Sequence, residues 1–282
     1  MRTLLLVLRD QLSRDAAVFE SLDPARDAVA MTEADVHRTR SPDHKQQLAL
    51  GWAAMRHFRD DLRERGWAVH YQPITADPGA DDAPDYLRQQ IETHAPEQVC
   101  VTEPGRYDLL RAIEAVCDEA GVPLEVHADD HFLATHRTFE QWAEGRKELT
   151  LEYFYREQRR AHGVLVTDDG DPVGGAWNFD DDNQESFGAD GPGMIPEGPS
   201  FERDDVTEEV LDRVRTAHAD APGALDDFRW PVTPAQAEAA LDDFIEHRLP
   251  TFGTYQDAMW TGRPFLYHSR LSAALNLKLL DP

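Results

Sequence analysis

Lysine, cysteine and long apolar runs are scarce in this sequence, and each shortage excludes a class of protein. Of its 282 residues only three are lysines, against 54 Asp and Glu, and the net charge is −26. The two cysteines, Cys100 and Cys117, lie in apolar segments and indicate a reducing compartment rather than a disulfide framework. Since no apolar stretch reaches the length of a membrane span or a signal peptide, we expect a cytoplasmic protein with no membrane partner.

The acidic excess is typical of proteins that stay soluble in concentrated salt, where charge repulsion is screened over a few ångströms. We interpret it as the mark of a halophilic prokaryote, with an ordinary acidic mesophilic protein as the alternative. Affinity for DNA depends on clustered lysine and arginine, but a global charge says little about one local groove. Glycine-rich phosphate loops and a serine nucleophile elbow are also absent, so simple kinases, dehydrogenases and hydrolases lack support.

The first 130 residues alternate short apolar runs with amphipathic helical patterns. This alternation predicts a five-stranded parallel sheet in a Rossmann-like α/β domain, whose ligands bind beyond the carboxyl ends of the strands. The strands are predicted at 3–8, 28–32, 68–72, 98–102 and 124–127, and the helices between them at 46–65, 86–93 and 109–120.

The rest of the chain divides into a connector and a helical region. Helical patterns at 139–143 and 149–160 precede a stretch rich in Gly, Pro and Asp, which predicts a long surface connector. Helical periodicity returns at 206–217 and at 234–248, where Thr233 is the expected N-cap, and a final helix is predicted to begin near Ser269. The expected divisions are 1–130, 131–205 and 206–282.

Two runs in the middle of the chain are not explained by helix or strand periodicity. Residues 145–157 read GRKELTLEYFYRE, and residues 174–183 read GGAWNFDDDN. Shorter motifs accompany them at 8–12, 54–58, 100–105, 256–259 and 268–272. Together these motifs closely resemble the photolyase/cryptochrome family, in the photolyase-related branch that is similar to prokaryotic (6-4) photolyases with an iron–sulfur cluster.

The resemblance implies a light-driven lyase. In that family an antenna pigment passes excitation energy to reduced FAD, which donates an electron to a pyrimidine photoproduct in ultraviolet-damaged DNA. Such proteins are longer than this chain, so we expect the N-terminal portion of a monomeric flavoprotein: the antenna domain, the connector and the beginning of an all-α FAD-binding domain. The 4Fe-4S cluster is expected outside this sequence, because two cysteines cannot supply four thiolates. A cryptochrome-like blue-light photoreceptor and a free-standing nucleotide-binding module are the alternatives.

Polar residues follow the predicted strand ends, where the resemblance implies an antenna chromophore, a ribityl-lumazine in this branch. Asp10 and Gln11 can hydrogen-bond a heterocycle there, although Asp10 could equally cap the next helix. The sequence departs from the family pattern at His37, where an acidic residue is expected, and at Arg9, where glycine is usual. The predicted chromophore-binding set is Asp10, Gln11, Glu33, His37, His44 and Glu103.

Residues 268–272 resemble the Thr-Ser-Arg-Leu-Ser motif that holds the FAD pyrophosphate in photolyases, with His in place of Thr. Ser269 can cap a helix whose first N–H groups bind a phosphate, and an ordinary capped helix is the alternative. Tyr255 aligns, across a one-residue gap, with an FAD-contacting tyrosine. The predicted FAD set is Tyr255, His268, Ser269, Arg270, Leu271 and Ser272. No catalytic residue is assigned.

Two further clusters have a structural alternative that we favour. Residues 127–136 carry histidines and carboxylates in a pattern that metal sites share, but Asp-rich sequences produce such clusters easily. Residues 153–160 combine aromatic side chains with arginines, as nucleic-acid interfaces do. We expect no metal at the first cluster and, at the second, a helix that buries its aromatic residues and solvates its arginines.

Overall fold

The computed structural model describes residues 1–34, 43–74, 82–179, 183 and 185–282. Five parallel strands form one sheet in the order β3-β2-β1-β4-β5, which confirms the predicted α/β fold. The strands are β1 Thr3–Leu6, β2 Ala28–Thr32, β3 Ala68–Gln72, β4 Gln98–Thr102 and β5 Leu124–His127. β1 ends earlier than predicted, because the Leu8 N–H donates to the Gln11 side chain at 3.2 Å instead of to a neighbouring strand.

Side-chain caps determine where several of the helices begin. Asp82 accepts a hydrogen bond from the Asp85 N–H at 3.0 Å and Thr135 from the Thr138 N–H at 3.2 Å, so α2 and α4 begin before the apolar periodicity does. The predicted cap at Thr233 is confirmed by a bond of 3.3 Å from the Gln236 N–H. The helices of the described ranges are α1 Lys45–Glu64, α2 Ala83–His94, α3 Tyr107–Ala120, α4 His136–Ala143, α5 Leu151–His162, α6 Asp205–Ala217, α7 Pro234–His247, α8 Leu249–Tyr255 and α9 Ser272–Asn276.

The central strands β1, β2 and β4 are apolar and buried, as expected for a sheet covered on both faces, whereas the edge strands β3 and β5 are partly exposed. On one face Leu4, Leu6 and Val101 pack with side chains of α2 and α3, such as Leu87 and Ile113. On the other side α1 packs against β3 and against α6. α1 carries eleven buried residues along its length, which include Trp52 and Met55. None of the helices in the described ranges is long and apolar enough to cross a membrane.

The chain forms two compact units. The first comprises Met1–His131, Pro199–Ala240 and Leu271–Asp281, and it contains the sheet. The second comprises Phe132–Gly198, Leu241–Arg270 and Pro282. Residues of the predicted sections 131–205 and 206–282 occur in both units. Among the described residues between α5 and α6 there is no helix, and an isolated bridge joins Val166 to Pro172.

Candidate ligand-binding site

A cavity of about 470 Å³ lies in the first unit at the carboxyl end of β1. The sheet order reverses at β1, and ligands of open α/β sheets bind at such a switch point. The walls come from the loop after β1, the first turns of α1, the segment before α7, and α9. The volume of the cavity falls within the range of about 300–1,000 Å³ that is usual for small-molecule sites. Its polar lining side chains include Arg9, Asp10, His44, Gln47, Ser272 and Asn276.

His44 is held at the N-terminus of α1. Its Nδ1 accepts a hydrogen bond from the Gln46 N–H at 3.2 Å and so caps the helix. The imidazole lies against Gly223, where a Cβ atom would come within 2.3 Å of the ring. Gly223 also has a φ of +96°, in the region that favours glycine. The predicted residue His44 therefore lines the cavity in an orientation that a second segment of the chain determines.

Several lining residues were not predicted as ligand contacts from the sequence. Gln46 accepts a hydrogen bond from Trp230 Nε1 at 2.8 Å and donates to Ala224 O at 2.9 Å, which ties Trp230 to the helix. The Arg9 side chain crosses α1 at Gly51, where a Cβ would come within 2.7 Å of Arg9 Cδ. α1 begins with polar residues at the edge of the sheet where ligands bind, and this pattern could have indicated Gln46. Trp230 lies far along the chain and carries no such signal.

Gln11 connects the two strands at the switch point instead of facing the cavity. Its Nε2 donates to Thr102 O at 2.9 Å, at the end of β4, and its Oε1 accepts from the Leu8 N–H at 3.2 Å. The side chain is buried. Its amide thus satisfies one backbone group at the end of β4 and one just beyond the end of β1.

Glu33 belongs to a buried ionic network below the end of β2. Its carboxylate accepts hydrogen bonds from Arg56 at 2.6 and 3.2 Å, from the Tyr71 hydroxyl at 2.7 Å and from the Ile74 N–H at 2.8 Å. These four bonds use the acceptor capacity of a carboxylate. Burial lowers the pKa of Arg56, but the hydrogen bond and the charge of Glu33 outweigh it and raise the pKa above its usual value. Glu33 is a structural carboxylate in this conformation.

The remaining chromophore candidates lie elsewhere. Glu103 follows β4, and its backbone N–H donates to His127 O at 2.7 Å. It does not line the cavity, whereas Asp10 and His44 do. His37 lies outside the described residues. Of the described members of the predicted set, the structure brings Asp10 and His44 together.

A second, smaller cavity of about 180 Å³ lies in the second unit and is rich in cationic side chains. Arg248 is buried, is paired with Asp243 and donates to Glu197 O at 3.4 Å. Burial, with a contribution from the charge of Arg248, lowers the pKa of Arg270. An anion in this cavity would favour the charged form of Arg270. Two predicted FAD residues, His268 and Arg270, line this cavity together with Arg248 and Arg263.

The predicted phosphate-binding helix begins later than expected. α9 starts at Ser272 with Leu271 as N-cap and without a side-chain capping bond, so the assignment of Ser269 as the cap was wrong. Arg270 has a φ of +59°, which prevents the helix from starting before it. His268, Ser269 and Arg270 lie in the second unit, and Leu271 and Ser272 in the first, where Ser272 lines the larger cavity.

Tyr255 ends α8 in the second unit and belongs to an aromatic cluster. Its ring stacks on Phe187 with centroids 4.6 Å apart, and on Tyr267 at 5.8 Å. Phe187 also contacts Trp260 edge-on at 6.4 Å. Tyr255 is half-buried and does not line the smaller cavity.

Most of the histidines and carboxylates in residues 127–136 are held by other contacts. Asp129 pairs with Lys278 at 2.8 Å, and Asp130 accepts the Ala17 N–H at 3.1 Å. His131 Nε2 lies 3.0 Å from Leu275 O. These contacts hold the segment that follows β5 against the rest of the first unit.

The helix α5 departs from the expected burial pattern. Tyr153 and Tyr155 are exposed, whereas Arg159 is buried and donates to Leu165 O at 2.5 Å and to Val164 O at 3.2 Å. The prediction that this helix buries its aromatics and solvates its arginines was therefore wrong for these residues. The ring of Trp177 faces the guanidinium groups of Arg156, Arg159 and Arg160 at 5.7, 5.0 and 4.4 Å, a contact that helical periodicity does not indicate.

Comparisons with known proteins agree with this architecture. A (6-4) photolyase from Agrobacterium fabrum is 38% identical over 281 residues, which cover 100% of this chain and 55% of that protein. The crystal structure of a bacterial class III photolyase from Agrobacterium tumefaciens matches with a TM-score of 0.56 at 16% identity, over 100% of this chain and 51% of the other. The chain thus spans about half the length of these two proteins.

The family model "Deoxyribodipyrimidine photo-lyase-related protein" matches residues 5–230. That range includes nearly all of the parallel sheet and most residues that line the larger cavity. It also includes the central motifs at 145–157 and 174–183. The chain therefore belongs to the deoxyribodipyrimidine photo-lyase-related protein family.

Proposed function

We propose that this chain provides the light-harvesting part of a protein that repairs ultraviolet-damaged DNA, with an antenna chromophore in the larger cavity. The observation that carries the proposal is that cavity, at the switch point of the sheet, whose lining includes Arg9, Asp10 and Trp230. A flat heterocycle with carbonyl and N–H groups needs such neighbouring donors and acceptors, together with an aromatic or apolar wall. A ribityl-lumazine has this chemistry.

Titration with 6,7-dimethyl-8-ribityllumazine, followed by the change in its fluorescence, tests the site. We expect saturable binding that Asp10→Ala weakens by about tenfold, which corresponds to roughly 1.4 kcal/mol, or one hydrogen bond to a charged group. Glu103→Gln is the matched control, because Glu103 follows a strand of the same sheet but does not line the cavity. Equal effects of the two substitutions, or no saturable binding, would contradict the proposal.

We also propose that the smaller cavity receives the pyrophosphate of FAD. Arg263 and Arg270 supply cationic donors and His268 a ring nitrogen, and 180 Å³ is too small to enclose a flavin or an adenine as well. FAD supplies the redox chemistry of repair when it is bound; these residues would hold only its phosphates. We expect this chain to bind FAD more weakly than micromolar, because a few charged contacts to the pyrophosphate, without walls around the flavin and the adenine, fall short of about 8 kcal/mol.

Fluorescence titration of FAD, with Arg270→Gln and Arg263→Gln, tests this second site. Each substitution should weaken the binding of FAD and the binding of inorganic pyrophosphate by the same factor, since both ligands would use the same contacts. Micromolar affinity for FAD that neither substitution changes would place the flavin elsewhere. His268, Ser269 and Tyr255 of the second unit remain proposed contacts of the same cofactor, whereas the predicted contacts Leu271 and Ser272 belong to the first unit and are not part of this cavity.

Repair activity is the part of the proposal that extends beyond the chain itself. We propose pyrimidine photoproducts in DNA as the substrate, by analogy with the Agrobacterium (6-4) photolyase, and a monomeric, cytoplasmic protein. The 4Fe-4S cluster of the resembling branch finds no ligand set among Cys100 and Cys117, which are the only thiols of this sequence. Blue-light-dependent loss of photoproducts from irradiated DNA, with reduced FAD added, is the direct assay.

A further inference from the structure

Three potential metal ligands of different chemical types lie on one face of the β4–β5 strand pair. Cys100 is directly opposite Glu125 in the register of these strands, and His127 follows two residues after Glu125. Side chains two residues apart on a strand point to the same face. The neighbours of Cys100, Val99 and Val101, point to the other face and pack with α2 and α3. The register therefore places a thiol, a carboxylate and an imidazole side by side.

The distances between these groups are close to those of a tetrahedral metal centre. Cys100 Sγ lies 3.8 Å from Glu125 Oε2, and His127 Nε2 lies 3.3 Å from Glu125 Oε1. All three ligand atoms lie within 4.8 Å of one another. Zinc bonds of about 2.3 Å to sulfur and 2.0–2.1 Å to nitrogen and oxygen require ligand separations of about 3.3–3.5 Å. Small side-chain rotations would close the remaining difference.

The immediate surroundings favour a cation at this point. Gln98 Nε2 donates to Cys100 Sγ at 3.4 Å and also contacts the Glu125 carboxylate, so an electropositive group already lies between them. His127 Nε2 is shielded from solvent, and apart from its 3.3 Å contact with Glu125 Oε1 it has no hydrogen-bond partner among the described residues. A half-turn of the Gln98 amide would place its oxygen, rather than its nitrogen, towards a bound ion.

The site is anchored inside the protein but is reached from solvent. Cys100 is 2% exposed, whereas the side chains of His127 and Glu125 are 20% and 54% exposed. The nearby cation Arg2 is already paired with Asp27 by a hydrogen bond of 2.8 Å. One thiolate and one carboxylate would balance the charge of a divalent ion. Soft thiolate and imidazole ligands select zinc over magnesium and calcium.

We propose that Cys100, Glu125 and His127 bind a thiophilic divalent cation such as Zn²⁺, which ties the edge strand β5 to β4. Cys100 binds as the thiolate and its proton passes to solvent. Gln98 Oε1 or a water molecule supplies the fourth ligand. The site belongs to the sheet itself and is independent of both proposed cofactor cavities, because none of its ligands lines them.

Cobalt titration of the whole chain, under reducing conditions, tests the proposal. Co²⁺ bound to a thiolate gives a near-ultraviolet charge-transfer band, which the many surface carboxylates of this protein cannot produce. We expect the band to saturate at one equivalent and to disappear when Zn²⁺ is added. Cys100→Ser should abolish the band, and His127→Gln and Glu125→Gln should each weaken Co²⁺ binding at least tenfold.

Cys117→Ser is the matched control, because Cys117 is equally buried but packs in the α2–α3 face of the core. It should leave the band and its affinity unchanged. A band that persists in Cys100→Ser, or that is lost in Cys117→Ser, would overturn the proposal, as would no band in the wild-type chain. If Cys100→Ser does not fold, the more exposed His127→Gln and Glu125→Gln decide the question: unchanged Co²⁺ affinity in both would refute the site.

Discussion

Glu33 and Arg56 form a charged pair with almost no exposed surface, and we expect the pair to be a large local contribution to stability. Replacing one member leaves the other charge buried without its partner, which typically costs about 3–5 kcal/mol. Urea unfolding of Glu33→Gln should therefore show a loss in that range. The control is Glu209→Gln: Glu209 also contacts Arg56, at 3.0 Å, but its side chain is 75% exposed. The substitution Glu209→Gln should lower the free energy of unfolding by less than about 1 kcal/mol. Equal effects of the two substitutions would contradict this prediction.

Asp27 should make the stability of the protein depend on pH in the acid range. Burial raises its pKa, but hydrogen bonds from Arg2 and from the N–H groups of Asp23 and Thr3 outweigh burial and lower the pKa below its usual 3.8. A lowered carboxyl pKa contributes stability above pH 3.8, and this contribution is lost as pH falls through the folded-state pKa.

The measurement is the free energy of unfolding of wild type and Asp27→Asn between pH 7 and pH 3. We expect wild type to be more stable by about 1–3 kcal/mol at pH 7, the usual contribution of hydrogen bonds to a charged group. The difference should shrink once the pH falls below 3.8. Asp15→Asn, at an exposed carboxylate, is the control and should show no such trend. A difference between wild type and Asp27→Asn that stays constant with pH would exclude the carboxylate as its source.

Only part of the candidate site could be predicted at the level of residues. The end of a parallel strand determines where a backbone lies, so Asp10, Gln11, Glu33 and Glu103 were all reasonable candidates. The position of the strand end does not determine which group a side chain contacts. Glu33 turns to Arg56, and Gln11 turns to the end of β4, through contacts between distant positions that no local pattern shows.

The strands were predicted better than the starts of the helices. β2 to β5 have the predicted bounds, because apolar runs between turn residues define buried strands. Helix starts were displaced where Asp82 and Thr135 cap earlier residues. α9 starts late because Arg270 adopts a left-handed conformation, which a sequence pattern of Ser and Leu does not indicate.

The N-terminus of α1 should be sensitive to Gly223, in the loop after α6. Gly223→Ala combines a left-handed φ, which costs about 1–2 kcal/mol, with overpacking against His44, which costs about 1–3 kcal/mol. Gly66→Ala is the control, because Gly66 has a φ of +88° and the methyl group of an alanine there would meet no neighbouring atom within 4 Å.

Thermal or urea unfolding should show that Gly223→Ala loses more stability than Gly66→Ala. Adding His44→Ala to Gly223→Ala should recover the overpacking part, because it removes the ring that the new methyl group meets. If the double variant loses as much stability as the sum of its single substitutions, the His44 ring does not cause the loss of stability in Gly223→Ala. That result would contradict the contact between His44 and Gly223.

At the scale of the whole molecule, 54 acidic residues against 28 basic ones produce a repulsion that local ion pairs only partly offset. Many arginines pair with neighbouring carboxylates, such as Arg65 with Asp61 and Arg215 with Asp212, but the protein keeps a net charge of −26. Such exposed pairs contribute about 0–1 kcal/mol each and weaken further in salt. Net repulsion should therefore dominate the salt dependence.

We predict that the melting temperature rises with KCl from dilute buffer to molar concentration. The screening length falls from about 30 Å at 0.01 M to about 3 Å at 1 M, so repulsion between like charges across the surface is progressively removed. Betaine at matched osmolality is the control, because it changes water activity without screening charge. A rise with KCl but not with betaine supports the halophilic interpretation. A melting temperature that is flat in KCl, or that rises equally with betaine, would show that the acidic surface does not limit the stability of this protein.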